Sequence, residues 1–250
     1  MNGEAAGGTQ FKGLAGWIAS VPIAHRGLHD KANGIYENTL SAARRAAERG
    51  FGIEVDLHPA ADGTVMVFHD DTLERLTAEK GDMRARTASE LGRISIGGSA
   101  DRVPTLRQLL ELVDGRVPLV LELKGRKDGD AGFVEAVAAE LATYRGQVGV
   151  MSFDHWLVED ARRLMPDLAV GLTAEGDDSL FAVHEALAGR AGIDFVSYGI
   201  SDLPCRFVEE FRKSGRPVIT WTIRSPADAR KSAMFADQIT FEGFDPRDGG

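Results

Sequence analysis

Short apolar runs and amphipathic stretches alternate along the chain from residue 21 to residue 240. Apolar runs bounded by turn-forming residues are typical of buried strands, whereas apolar residues at every third or fourth position predict helices. The pattern predicts strands over residues 21–24, 51–57, 118–123, 148–151, 168–172, 193–197, 217–220 and 238–240. It predicts helices over residues 38–49, 105–113, 131–144, 154–164, 179–187, 204–213 and 226–234.

This regular alternation favours an α/β fold, a (β/α)8 TIM barrel. The eight strands and the seven helices between them occupy roughly 220 residues, close to what such a barrel needs. A doubly wound open sheet is the alternative, but no Gly-x-Gly-x-x-Gly sequence follows a strand. We expect a polar tail and a short helix within residues 1–20, followed by a single barrel catalytic domain over residues 21–250.

Two local signals concern the ends of helices. The short helix predicted within residues 11–20 carries Leu14, Trp17 and Ile18 on one face, and we expect it to close the bottom of the domain. Asn38 is the expected N-cap of the helix over residues 38–49.

A longer, more polar stretch interrupts the alternation after the second strand. Asp62-Gly63 predicts a turn that leads into a hairpin-like strand over residues 65–68. Residues 71–103 are polar and contain only short helical signals. We expect these residues to form a long surface excursion of the kind that covers an active site, inserted after the second strand.

Composition narrows the class of protein. The net charge of −9 argues against a nucleic-acid surface and against attraction to anionic membranes. No apolar stretch approaches the roughly 20 residues of a membrane span, so we expect no stable membrane association. The single cysteine, Cys205, excludes an intrachain disulfide, and the N-terminus lacks a secretory pattern. We therefore expect a cytoplasmic protein.

Acidic residues stand at the ends of two predicted strands. Glu54 and Asp56 point to the same side of the second strand because side chains alternate along a strand. Glu122 and Lys124 share a side of the third strand, and strand ends converge on one rim of a barrel. Three carboxylates suit one divalent cation, Mg²⁺ or Ca²⁺ with Mn²⁺ as a further candidate, whereas Zn²⁺ would favour histidine. Structural salt bridges to Arg26 and Lys124 are the alternative.

Two histidines also end apolar strands. His25 precedes Arg26, and His69 follows the hairpin strand, so both can carry protons at neutral pH. One divalent cation and one singly charged phosphodiester would neutralise the three carboxylates, Arg26 and Lys124. The sequence therefore predicts a metal-dependent phosphodiesterase.

Other candidates carry weaker signals. Trp221, just past an apolar strand, is either a floor for a glycerol or alcohol group or a core residue. We expect His29, His155 and His184 at the surface, and His58 to pack structurally.

The chain resembles the glycerophosphodiester phosphodiesterases over most of its length, from Pro22 to Pro246. The motifs that occur in the order seen in that family are His25-Arg26-Gly27, Glu37-Asn38-Thr39, Glu54-Val55-Asp56, Asp62-Gly63, His69-Asp70, Pro104-Thr105-Leu106, Glu122-Leu123-Lys124, Ser152-Phe153-Asp154 and Trp221-Thr222. The last strand departs from the family's Thr-Asp-x-Pro pattern, so Glu242 receives no role here.

The resemblance implies a TIM-barrel hydrolase that splits small-molecule glycerophosphodiesters into an alcohol and sn-glycerol 3-phosphate. By that likeness the divalent ion binds Glu54, Asp56 and Glu122. The acid/base pair is His25 and His69, and the phosphate is held by Arg26 and Lys124. The insertion is short for the family, which suits a small cytoplasmic enzyme.

Three alternatives use the same site. An exposed apolar rim on residues 71–103 would favour a lysophospholipase D, but that stretch is largely polar. A specialised sugar-phosphodiester hydrolase would change only the substrate. A silent phosphodiester-binding protein is disfavoured because the histidines and carboxylates are all present.

Overall fold

Eight parallel strands close into a barrel in the computed structural model, which describes residue 11, residues 13–126 and residues 129–247. β1 and β9 pair with each other, and this pairing closes the ring. The strands in chain order are β1 (Ile23–Ala24), β2 (Gly52–Pro59), β3 (Val65–Val67), β4 (Leu119–Leu123), β5 (Val148–Ser152), β6 (Ala169–Ala174), β7 (Phe195–Gly199), β8 (Val218–Ile223) and β9 (Gln238–Phe241). β3 lies outside the ring, antiparallel to β2. The predicted TIM barrel is confirmed.

Helices follow most of the barrel strands, with ends a few residues from the predicted ones. They are α1 (Leu40–Glu48), α2 (Ala88–Leu91), α3 (Leu106–Val113), α4 (Phe133–Leu141), α5 (His155–Leu164), α6 (Phe181–Ala191), α7 (Arg206–Lys213) and α8 (Pro226–Phe235). Short 3₁₀ turns occupy Gly16–Ala19, Lys31–Asn33, Met83–Ala85, Asp178–Leu180 and Ile200–Asp202. None of the described helices is long and apolar enough to cross a membrane.

The start of α1 differs from the prediction. Thr39, not Asn38, is the N-cap, because its side-chain oxygen accepts a hydrogen bond from the backbone N–H of Ala42 at 3.2 Å. Asn38 is buried with a φ of 55°. Asparagine tolerates this left-handed conformation better than most residues, and here it turns the side chain towards β2.

Two apolar layers hold the barrel. Alternate residues of β4 divide between them: Leu119, Leu121 and Leu123 pack towards the helices, whereas Val120 lies inside the barrel. The inner layer consists of Ala15, Ile18, Ile23, Val120, Met151, Ala169, Phe195 and Ile219. The first two of these come from the N-terminal segment, which therefore plugs the barrel from below.

The plug is shorter than expected. It is a single 3₁₀ turn, Gly16–Ala19, with Ile18 buried and Trp17 packed against the inner layer. Leu14 is 44% exposed, so the prediction that it shares the buried face is wrong. A segment this short has only one turn to present to the core.

The insertion after β2 has a core of its own. Its apolar residues pack together under β3 instead of facing solvent; they are Ala60, Met66, Phe68, Leu73, Leu76, Met83, Leu91, Ile94, Ile96 and Val103. Tyr36 lies against Gly97, where any side chain would overlap the phenol ring. The insertion is therefore a packed unit fixed to the barrel, with a core that its largely polar sequence did not indicate.

Arg84 joins this insertion to β4. Its guanidinium donates to the backbone oxygen of Lys124 at 2.7 Å, contacts the Nδ1 atom of His58 and pairs with the buried carboxylate of Asp130. His58 is thus a structural residue that lies between the insertion and the barrel.

His184 does not lie at the surface. It is 6% exposed, and its ring packs against the rings of Tyr198 and Phe207 at centroid distances of 5.9 and 5.1 Å. It shares a stripe of α6 with Leu187, Ala188 and Ala191, so its spacing from these apolar residues is that of a buried helix face.

The buried position of Ile18 in the plug leads to a prediction about the free energy of unfolding. Ile18→Ala should lower the free energy of unfolding by about 2–5 kcal/mol, because it leaves a cavity inside the barrel. Leu14→Ala is the matched control, and its exposed side chain should change stability by less than about 0.5 kcal/mol. Urea denaturation followed by circular dichroism measures both. Equal effects of the two substitutions would show that residues 14–18 do not form the plug described above.

Candidate active site

The carboxyl ends of the barrel strands surround a cavity of about 460 Å³. The residues that the sequence singled out all line it: His25, Arg26, Glu54, Asp56, His69, Glu122, Lys124 and Trp221. They converge because Asp56 and Glu122 are register partners on β2 and β4, while β1 lies on the other side of β2. His69 follows β3 and reaches the same cavity from the insertion.

Three carboxylates form the centre of this site. One oxygen from each of Glu54, Asp56 and Glu122 lies within 4.8 Å of the others, and all three side chains are buried. The backbone N–H of Arg26 donates to Glu54 at 2.9 Å. The side-chain amide of Asn38 donates to Asp56 at 2.8 Å and accepts from its backbone N–H at 3.2 Å. Asn38 therefore fixes one carboxylate.

The cluster carries more negative charge than its neighbours balance. Burial, together with the charges of Asp56 and Glu122, raises the pKa of Glu54 well above its usual range. Burial also raises the pKa of Glu122 to about 7, although Lys124 opposes this. Burial also acts to raise the pKa of Asp56. The positive charges of Lys124 and Arg26 have a larger effect, so the pKa of Asp56 lies below its usual range. Such a cluster must take up a proton or a cation.

A divalent cation fits these residues. The donors are three carboxylate oxygens and no sulfur or imidazole, a set that favours Mg²⁺, Ca²⁺ or Mn²⁺ over Zn²⁺. Lys124 Nζ lies 3.0 Å from Asp56 and also contacts Glu122, so it partly balances the same carboxylates. The salt-bridge alternative is therefore also present, but Lys124 and Arg26 do not neutralise the cluster.

His25 lies deep in the cavity beside these carboxylates. Its Nδ1 atom is 2.6 Å from Glu242, and its Nε2 atom is 4.0 Å from Glu54. Burial lowers the pKa of His25 more than Glu242 raises it. A neutral ring would donate Nδ1–H to Glu242 and leave Nε2 without a proton. Glu242, to which sequence reasoning gave no role, is a positioning residue for His25.

His69 has a similar arrangement. Its Nδ1 atom is 2.6 Å from Asp70, whose carboxylate accepts from Arg75 at 2.6 Å. Glu242 likewise accepts from Arg224 at 2.7 Å. Each histidine thus has a carboxylate on Nδ1, and each carboxylate is held by an arginine. A carboxylate on Nδ1 fixes the tautomer that leaves Nε2 unprotonated when the ring is neutral.

Arg75 also connects this arrangement to Arg26. It donates to both oxygens of Glu37 at 2.8 and 2.9 Å, and Glu37 accepts from Arg26 at 2.6 Å. One arginine of the insertion therefore orients His69 through Asp70 and Arg26 through Glu37. The sequence placed Arg75 in a polar stretch with no sign of this function.

Aromatic rings line the opposite wall. Phe153 and Trp221 meet edge to face with centroids 5.4 Å apart. The indole N–H of Trp221 donates to the backbone oxygen of Ser197 at 3.2 Å, which fixes the ring over the cavity. Trp221 is therefore a wall of the cavity instead of a core residue.

The sequence model of the glycerophosphoryl diester phosphodiesterase family matches residues 25–241. The chain belongs to this family. The matched region begins at His25 and contains all the predicted site residues, whereas Glu242 lies just beyond its end. A glycerophosphodiester phosphodiesterase from Caldanaerobacter subterraneus subsp. tengcongensis is 30% identical over 224 residues, which cover 86% of this chain and 90% of the relative.

Solved structures share the fold. An Oleispira antarctica phosphodiesterase in complex with the product sn-glycerol-3-phosphate has a TM-score of 0.80 at 23% identity and covers 90% of this chain and 94% of its own. A glycerophosphodiester phosphodiesterase from Thermotoga maritima has a TM-score of 0.71 at 24% identity, with coverages of 88% and 94%. These likenesses support the barrel and its chain order.

The contact between Glu242 and His25 makes a kinetic prediction. Glu242→Gln should lower kcat about 10- to 100-fold, because an amide no longer fixes the tautomer of His25. KM should change by less than about threefold, since the contacts of Glu242 in the described chain are with His25, His29 and Arg224 and not with Arg26 or Lys124. Glu159→Gln is the control, because Glu159 pairs with exposed Arg190 outside the barrel. An equal rise in KM, or an unchanged kcat, would contradict the positioning role.

Proposed function

We propose that this protein hydrolyses glycerophosphodiesters to an alcohol and sn-glycerol 3-phosphate, with one divalent cation bound by Glu54, Asp56 and Glu122. The observation that carries the proposal is the shared cavity, which brings three buried carboxylates, two cationic side chains and two histidines together. Membership of the family supports the reaction. The Oleispira phosphodiesterase holds sn-glycerol-3-phosphate as its product, which is the product proposed here.

Arg26 and Lys124 would hold the phosphate. Both line the cavity beside the carboxylate cluster, and both are only partly exposed. Their positive charges can bind the non-bridging oxygens and stabilise the charge that develops on them. When bound, a divalent cation would add Lewis acidity at the same oxygens. Cation and phosphodiester together would bring the site close to neutrality.

The two histidines would divide the proton transfers. His25 is the more buried, with 12% of its side chain exposed against 31% for His69, and burial lowers its pKa, which favours the neutral ring. A neutral, buried imidazole suits removal of a proton from water or from a glycerol hydroxyl. His69 lies nearer solvent on the insertion, where it can protonate the departing alcohol. We assign the base to His25 and the acid to His69.

Lipid substrates fit less well. A lysophospholipase D needs an apolar surface for an acyl chain, whereas the apolar residues of the insertion are buried in its own core. A silent binding protein would not need a carboxylate on Nδ1 of each histidine. A sugar-phosphodiester hydrolase would use the same catalytic groups and differ only in the group beside Trp221.

We also propose that residues 21–250 form one catalytic barrel domain and that the enzyme acts on a small-molecule substrate in the cytoplasm. The free cysteine, Cys205, is buried, which is compatible with a reducing compartment.

The carboxylate cluster makes the central activity prediction. Glu54→Gln should lower the rate of glycerophosphocholine hydrolysis by more than about 100-fold. This is a larger loss than substitution of a residue that only contacts a metal ligand causes. It should also weaken binding of Mg²⁺, Ca²⁺ and Mn²⁺, because one charged oxygen ligand is lost. Choline release and calorimetric titration with each ion measure these effects. The same substitution at Glu210, which pairs with exposed Lys213, is the control. Retained activity together with unchanged ion binding would exclude Glu54 as a ligand.

A further inference from the structure

His184 is a buried histidine that the proposed reaction does not use. Its ring packs against the rings of Tyr198 on β7 and Phe207 on α7, at centroid distances of 5.9 and 5.1 Å. The Nδ1 atom of His184 is buried and, among the described residues, has no hydrogen-bond partner. A buried polar atom without a partner is rare in a folded protein, so this position calls for an explanation.

The neutral ring of His184 fits this position better than the charged ring does. A neutral imidazole carries one N–H, which can lie on Nε2, whereas a protonated imidazole carries an N–H on both nitrogens. Protonation would therefore place a positive charge in the apolar layer. It would also leave a buried N–H donor at Nδ1 with no acceptor, and both effects cost free energy.

No carboxylate offsets that charge. Burial lowers the pKa of His184, and the charge of His155 on α5 lowers it further, while no acid among the described residues opposes them. On α6 itself Glu185 is exposed, and Arg190 is exposed and pairs with Glu159 of α5. The charged ring is therefore more stable where it reaches water.

The other elements packed against His184 present uncharged groups. β7 and α7 contribute the rings of Tyr198 and Phe207, and the thiol of Cys205 is hydrogen-bonded to Tyr198. Asp178, in the turn before α6, accepts the backbone N–H of Arg206 at 2.7 Å. Phenol and thiol groups are ordinarily neutral near pH 7, so on this side the ring also meets no compensating charge.

The contact of His184 reaches the cavity through Tyr198. The phenol of Tyr198 donates to the backbone oxygen of Gly176 at 2.7 Å, and the N–H of Gly176 donates to Asp202 at 2.9 Å. These two bonds join the loops that follow β6 and β7, and both loops line the cavity. His184 therefore supports one wall of the cavity from the side of the helices.

We propose that His184 is a pH-sensitive contact: its neutral ring holds α6 against β7 and α7, and its protonation releases α6 together with the loops after β6 and β7. This inference goes beyond the proposed function, because it concerns when the cavity wall is held in place and not the reaction performed there. The pKa of His184 in the folded chain lies below the ordinary value of 6.5. The contact is therefore fully stable above about pH 6.5 and weakens as the pH falls below that value.

Hydrogen–deuterium exchange followed by mass spectrometry measures this release on the full chain. After correction for the intrinsic pH dependence of exchange, the opening equilibrium of peptides within residues 175–213 should increase about 10-fold from about pH 7.5 to about pH 5.5. This increase is expected when an exposed imidazole of pKa about 6.5 is protonated in the open state and the closed state stays neutral. Peptides from α1, which connects β1 and β2 across the ring from β6, should change by less than about twofold.

His184→Leu tests the residue itself, because leucine keeps an apolar side chain at this position and cannot be protonated. The increase in opening should fall to less than about twofold in this variant. Glu185→Gln is the matched control: it alters the next residue of α6, which is exposed, and the increase should remain. His184→Gln, which is also neutral at both pH values, serves if the leucine variant does not fold.

Equal opening of α6 at both pH values in the unaltered protein would overturn the proposal. An increase that survives in His184→Leu or His184→Gln would overturn it as well. The readout is exchange and not turnover. A chain that shows this pH response but hydrolyses no glycerophosphodiester would therefore disprove the proposed function and leave the role of His184 intact.

Discussion

The charge of this site, and therefore the ions that it attracts, depends on three carboxylates that lie side by side inside an apolar barrel. Burial and mutual repulsion raise the pKa of Glu54 and Glu122, so the cluster is not stable as three free anions. Arg26 and Lys124 leave one net negative charge on the cluster, and a divalent cation would turn it into one net positive charge. The loaded site would then attract one phosphodiester anion, whose single negative charge restores neutrality.

The insertion after β2 organises the groups around this cluster. Arg75 holds Asp70 and Glu37, and through them His69 and Arg26. Arg84 holds the backbone of Lys124 from the same side. The groups proposed to bind phosphate and to carry protons follow different strands, and the insertion thus links them through one packed unit. The core of the insertion includes Leu76 and Met83, the chain neighbours of these two arginines, and so supports their positions.

Periodicity was sufficient to predict the barrel, since strand and helix spacing are local properties. It also predicted the shared face of Glu54 and Asp56, because side chains alternate along any strand. Contacts between distant segments were not predictable in this way. Arg75 meets Glu37 only after the insertion packs, and Glu242 reaches His25 only when β9 closes the ring on β1. Asn38 had a local interpretation as a helix cap, but its positive φ directs it to Asp56.

The claim that a cation neutralises Glu54, Asp56 and Glu122 is tested most directly by anomalous diffraction from a crystal grown with Mn²⁺. The account predicts one strong anomalous peak between these three carboxylates, at distances of about 2.0–2.6 Å from one oxygen of each. Crystals treated with EDTA should lack it. A Mn²⁺-soaked crystal with no peak there, in which Lys124 alone bridges Asp56 and Glu122, would contradict the account.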